Sequence, residues 1–311
     1  MKNQIVIAGK YSYSESNLLW EHPMMKVYKG YDKAAKKDVQ VRVIESEEEL
    51  EPVFKVLLEL KQIKHTFLAT ILEVSRPERE RVVMVTETGR VCSLKEALHH
   101  TGYLLEEDAL VILKYVLLAL QEVHEKGSLF GYLAPENVEM CTYGMVKLSY
   151  NLFTSDSKKW LAPEIIEGNN RTQASDVYAL GLLLYQLLYG MNPFDGGDED
   201  SLVKEIKKRQ YHKPKTSSPF GIIVSKETTF LMESMLDYYP ENRPSVSSVL
   251  ESMSIQSIPL EIDPLQFIKP KTSLMPELFQ KKFLVFRASK RQLSHFYYNE
   301  QIYLCLRTDT K

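Results

Sequence analysis

Four side chains stand where this sequence could bind or move charge. They are Arg42, closing the alternating run Val39-Gln40-Val41-Arg42, Tyr132 and Asn137 within residues 128–138, and Tyr150, after Val146-Lys147-Leu148-Ser149. Arginine carries a permanent charge on a planar fork of donors, so Arg42 can hold an anion or close an internal ion pair; the ion pair is the preferred reading. Tyrosine is a weaker tool, because a phenol with an ordinary pKa near ~10 is no base at neutral pH. As a neutral oxygen it also serves poorly a hard cation that takes carboxylate ligands. Thiol and imidazole sites are not indicated either. Cys92, Cys141 and Cys305 are far apart, odd in number and without C-x-x-C spacing, and His99 and His100 lack carboxylate or thiol partners at ligand spacing. No metal and no cofactor are expected.

Two kinds of element must position these residues. The N-terminal part alternates in the manner of strands: 27–31 and 39–44 flank the charged turn 32–38 as a hairpin, and 68–74 and 82–86 add two more strands. Between them, residues 47–64 carry Val53, Val56, Leu57, Leu60 and Ile63 as a helical stripe. From residue 93 the pattern turns to helices: 94–98, 106–126 ending at Gly127, a nearly all-apolar 175–189, then 198–209, 228–236 and 245–253. A chain of 311 residues, 44% hydrophobic and 26% charged, with a formal net charge of −2, is ordinary globular material without a bias towards nucleic acid. The first ten residues hold too short an apolar run for a signal peptide, and no run is long enough to span a bilayer. A cytoplasmic location is expected, within a cytoskeletal or other large assembly.

Several stretches, taken in order, resemble Ser/Thr protein kinases from about residue 11 to 253. Val39-Gln40-Val41-Arg42 resembles V-A-I-K, and Phe130-Gly131-Tyr132-Leu133-Ala134-Pro135-Glu136-Asn137 resembles the catalytic loop H-R-D-L-x-P-E-N with its end kept. Val146-Lys147-Leu148-Ser149-Tyr150 is similar to V-K-L-x-D before F-G, and Ala162-Pro163-Glu164 to A-P-E. Ser175-Asp176-Val177-Tyr178-Ala179-Leu180-Gly181 and Pro240-Glu241-Asn242-Arg243-Pro244-Ser245 resemble two further large-lobe motifs. The resemblance implies an α+β, two-lobed fold: a β-rich lobe with one main helix (1–88), a helical lobe (89–254) and an extension (255–311). It also implies that Glu164 pairs with Arg243 inside the large lobe and that Asp176 holds the catalytic-loop backbone, a structural role for all three.

The same resemblance marks Arg42, Tyr132, Asn137 and Tyr150 as degenerate kinase positions. Arg42 replaces a lysine, whose helical partner falls near Val56, with Glu59 one turn away. Tyr132 stands for the base, and Tyr150 for a metal-binding carboxylate. No glycine lies between Gly9 and Gly30, so the phosphate-covering loop expected at Trp20, His22 and Met25 is missing. Tyr150 to Glu164 is too short for a peptide platform; its Thr154, Ser155 and Ser157 read as loop polar residues. Tyr132 and Tyr150 read as aromatic fillers of the cleft.

The expectation is therefore a pseudokinase, not an enzyme and not binding nucleotide, that works as a protein–protein interaction scaffold or structural subunit of a larger complex. Two alternatives stand beside it: an allosteric regulator of an active kinase, or a residual ATP-binding protein with atypical phosphotransfer through Arg42 and Asn137. Between Lys269 and Lys311, nine Lys and Arg face three acids, about +6, leaving about −8 for the rest. With apolar runs at 283–286 and 296–306, this basic extension is expected to dock on its own fold or on a partner.

Overall fold

The computed structural model describes residues 4–141, 145–150, 157–194, 199–208, 224–259, 293–298 and 302–306. Six antiparallel strands form the N-terminal lobe: β1 (Ile5–Ile7), β2 (Tyr11–His22), β3 (Met25–Asp32), β4 (Lys37–Glu45), β5 (Ile71–Glu78) and β6 (Arg81–Glu87), in the spatial order β1-β2-β3-β4-β6-β5. The pleat sorts β4 into two faces. Val39, Val41 and Val43 pack on Tyr13, Tyr28, Val83 and Val85, while Gln40, Arg42 and Ile44 point the other way, towards helix α1 (Glu51–Gln62) and the second lobe. Helix α1 begins with Pro52 in its first turn, later than periodicity alone suggests, and buries Leu57 and Leu60.

Gly30 on β3 owes its identity to packing on the outer face of this sheet. A Cβ there would come 2.7 Å from Val41 Cγ2 and 3.1 Å from the Ser12 carbonyl oxygen.

The second lobe is helical around a small three-stranded sheet, β7 (Arg90–Ser93), β8 (Val138–Cys141) and β9 (Val146–Leu148). Its helices are α2 (Leu94–Thr101), α3 (Glu106–Glu125), α4 (Pro163–Ile166), α5 (Gln173–Tyr189), α6 (Glu199–Lys207), α7 (Lys226–Met235), α8 (Val246–Glu251) and α9 (Met253–Gln256). Helix α5 is apolar on nearly every side because every side is covered, and it carries the centre of the core with α3. Ile255 in α9 is fully buried, and Lys114 Nζ of α3 donates to the carbonyls of Gln256 and Ile258 at 3.3 and 2.5 Å. The fold is thus α+β in two lobes, one sheet-rich and one helical, as the sequence motifs imply. In the C-terminal extension, strands β10 (Leu293–Tyr298) and β11 (Ile302–Leu306) pair antiparallel. The other residues beyond 259, and with them the apolar run 283–286 expected to dock, lie outside the described residues.

The end of α5 shows how tightly the lobe is assembled. Gly190 closes the helix in the left-handed region, φ +72°, and a Cβ on it would lie 2.5 Å from the Gly102 carbonyl oxygen. The amide of Leu104 donates to the Leu187 carbonyl beside it at 2.7 Å, so that backbone cannot retreat without breaking a bond. Gly190→Ala is expected to lower unfolding free energy by about 2–4 kcal/mol, from left-handed strain plus overpacking. Gly127→Ala, with φ +73° but nothing within 4 Å, should lose only about 1 kcal/mol. Urea unfolding of both variants checks the difference, and equal losses would show that the backbone around Gly102 relaxes.

Candidate functional site in the cleft between the lobes

Arg42 lies at the back of the cleft, 1% exposed. Its Nη1 donates to Thr86 Oγ1 at 2.5 Å, a diagonal cross-strand contact, since Thr86 faces Gln40 and Arg42 faces Met84 in the register of β4 and β6. Its Nη2 lies 3.5 Å from Glu139 Oε1 on β8, in the helical lobe. The expected internal ion pair exists, but its carboxylate partner is not on α1. Val56 and Glu59 are both exposed, because α1 turns Leu57 and Leu60 inward instead. Glu139 was not singled out by sequence reasoning. The signal was available: a lone acid in Val138-Glu139-Met140-Cys141, a run short and apolar enough to be a buried strand, calls for a cationic partner. With guanidinium and carboxylate both nearly inaccessible and in contact, the cleft at this depth is filled by protein.

The loop 128–138 is held from behind by Asp176 near the start of α5. Its Oδ2 accepts from the Phe130 amide at 2.9 Å and contacts His124 Nε2 at 2.9 Å, while Oδ1 accepts from the Gly131 amide at 2.8 Å. Consecutive amides can converge on one carboxylate because Gly131 adopts φ +88°. Tyr132, half-buried, has its ring 4.3 Å from the Arg171 guanidinium, and Arg171 also donates to the Gly131 carbonyl. Asn137 is fully buried; its carbonyl accepts from the Ser149 amide at 2.7 Å and the Ser149 hydroxyl at 3.3 Å. That bond ties the loop to the segment carrying Tyr150.

Tyr150 is 2% exposed and packs on Phe130, ring centroids 5.4 Å apart and 32° between planes. Its hydroxyl has no hydrogen-bond partner among the described residues, and burial pushes the phenol well above its ordinary pKa, so it stays neutral. Tyr132 and Tyr150 thus pack against different neighbours, one against Arg171 and the other on Phe130.

Glu164 and Arg243 meet as the motifs imply. Two parallel 2.8 Å bonds join Nη1 to Oε1 and Nη2 to Oε2. The remaining three donors of Arg243 reach the carbonyls of Ala174, Tyr238 and Asp237 at 2.9, 3.0 and 2.7 Å, and Ser175 Oγ donates to Glu164 Oε1 at 2.8 Å. Burial favours the neutral acid, but the hydrogen bonds and charge of Arg243 outweigh it and hold the Glu164 carboxyl below its usual pKa.

At the front of the cleft, β2 and β3 form a tight hairpin in which Trp20 faces Val27 and His22 faces Met25. The Met24 amide donates to His22 Nδ1 at 3.2 Å, and the Trp20 and His22 rings stack 5.9 Å apart. Among the described residues no group of three His, Cys, Asp or Glu could hold a metal ion, and no helix is long and apolar enough to cross a membrane. Cys92 and Cys141 are buried, and burial raises the Cys141 thiol to about 12. His99 is exposed. Thr154, Ser155 and the side chain of Ser157 lie outside the described residues.

Comparison with known proteins bears on this geometry. Residues 23–254 match the family described as protein kinase domain. Serine/threonine-protein kinase AtPK1/AtPK6 of Arabidopsis thaliana is 29% identical over 196 residues, which is 59% of this chain and 40% of that protein. Human NUAK family SNF1-like kinase 1 is 24% identical over 226 residues, 68% of this chain and 33% of that protein. The chain therefore spans less than half the length of these relatives. The crystal structure of Rad53 1-466 in complex with AMP-PNP superposes with a TM-score of 0.70 at 22% identity, covering 79% of this chain and 66% of that one, a likeness of fold. These findings overturn the expectation that the chain is not an enzyme, since the relatives are named as kinases, one of them a serine/threonine-protein kinase, and point to a protein kinase. The physical reason is that single replacements at Arg42, Tyr132 and Tyr150 leave the large-lobe framework in place, with the Glu164–Arg243 pair formed and the loop held by Asp176.

Proposed function

Because this chain belongs to the protein kinase family, we propose that it uses the kinase fold chiefly as a protein-binding scaffold within a larger intracellular assembly. The basic C-terminal extension, 255–311, would be part of the contact surface. The observation that carries this reading is the buried contact between Arg42 and Glu139, which joins side chains of the two lobes in a nearly inaccessible site. Tyr150, neutral and packed on Phe130, supports it at the position where the resemblance places a metal-binding carboxylate.

A second reading is phosphotransfer by an atypical constellation of Arg42 and Asn137. It is favoured by the kinases among the relatives and by the survival of Asn137 in the loop. One pair of measurements separates the two. A ligand that binds the native state raises the melting temperature with its concentration. The scaffold reading expects at most a small rise with ATP and magnesium, and only slow movement of radiolabelled phosphate to a protein substrate. A large concentration-dependent rise together with rapid phosphate transfer would replace it by the second.

A further inference from the structure

Among the described residues, two ion pairs cross between the lobes at one place, with opposite polarity. Arg42 of β4 reaches Glu139 of β8 at 3.5 Å, and Lys147 of β9 reaches Glu87 at the end of β6 at 2.5 Å. The pairs are neighbours on both sides. Glu139 and Lys147 face each other in the β8–β9 register, and Thr86, the second partner of Arg42, directly precedes Glu87. Glu87 is anchored in turn: its Oε1 accepts from the Thr70 amide at 3.1 Å, and its own amide donates to the Thr70 carbonyl at 3.0 Å. Beside them the backbone is joined too, from the Ala69 amide to the Leu148 carbonyl at 2.9 Å and from the Leu148 amide to the Phe67 carbonyl at 2.8 Å.

We propose that these reciprocal pairs are a latch that fixes one angle between the lobes with no ligand between them. A hinge between two packed bodies is free to move when few bonds cross it. Here each lobe offers a cation to an anion of the other, so opening must separate both pairs, and the Arg42 pair must separate in a nearly dry site. The inference rests on the cleft being filled by protein, but it concerns a mechanical property and is read without nucleotide, so its failure is distinct from a failure of the scaffold reading.

Hydrogen exchange of the full chain tests it, on Lys147→Met, on Glu139→Leu and on the two combined. Lys147 is partly exposed and its loss leaves the core intact, which keeps the test available even where Glu139→Leu, by stranding Arg42, fails to fold. Each folded variant should speed exchange on the order of tenfold in one shared set of amides: β8, β9 and residues 67–70. The centres of α3 and α5 should keep their protection. Acceleration confined to the neighbours of each substituted residue, uniform acceleration that includes α3 and α5, or no acceleration in Lys147→Met would each overturn the latch.

Discussion

Arg243→Ala is expected to cost about 3–5 kcal/mol of folding stability, because it leaves the Glu164 carboxylate buried without its counter-charge. Arg243 spends all five of its donors on protein acceptors: two on Glu164 and three on the carbonyls of Ala174, Tyr238 and Asp237. Its guanidinium also lies 4.8 Å from the ring centroid of Tyr178 in α5. The substitution therefore detaches α4 and the turn 237–243 from the helix at the centre of the lobe. The pH dependence gives the sharper check. In the parent the Glu164 carboxyl is held below its usual pKa, so its contribution is present above the ordinary carboxylate range and fades as pH falls through the native value. In the variant the favourable charge is gone and burial alone acts, raising that pKa, so stability should fall as pH rises through the carboxylate range. The gap between the two proteins should thus be widest near neutrality and narrow towards acid, as measured by urea unfolding at several pH values. A gap independent of pH would mean that Arg243 acts through packing and its carbonyl bonds, and not through Glu164.

Much of this architecture is legible in order along the chain, and the legible parts share a physical character. Glu164, Asp176 and Arg243 are charged residues inside otherwise apolar or turn-forming contexts, and each is buried against named partners. The long helices are visible through 3.6-residue periodicity, and α5 through an apolar run too broad to face water. Less visible is whatever depends on which strand neighbours which. The partner of Arg42 is 97 positions away in sequence and belongs to the other lobe, so a search along α1 by spacing reaches Val56 and Glu59, which turn outward.

Strand β2 is illegible for a related reason. Its register with β3 slips between Tyr13 and Leu18, which opposes several residues to few and breaks the two-residue alternation that betrays a strand. Gly30 shows in the sequence only as a small residue inside a strand-like run; in the sheet it is the position where a side chain would strike Val41. The lesson is specific to polar residues in a core. Their presence can be read from sequence as a demand for a partner, but the partner itself is set by topology.

The second large effect concerns the position where the family resemblance places a metal-binding carboxylate. Tyr150→Asp is expected to destabilise the fold by about 4 kcal/mol or more, since it deletes a buried ring and leaves an acid without a cation among apolar neighbours. The Phe130 ring, 5.4 Å away between centroids, loses its aromatic neighbour by that deletion. Tyr150→Phe is the matched control. It removes a hydroxyl that has no hydrogen-bond partner among the described residues, so it should be neutral or stabilise by up to about 1 kcal/mol. The two variants also part in their response to pH. Burial raises the pKa of an unpaired acid, so the folded form of Tyr150→Asp binds a proton that the unfolded form has released, and its stability should decline as pH rises from about 4 to about 7. Tyr150→Phe adds no titrating group and should follow the parent throughout. Thermal unfolding at the two ends of that pH range makes the comparison. A Tyr150→Asp protein as stable as the parent at neutral pH would mean that water or a cation reaches this position, and that the cleft is open where Tyr150 fills it.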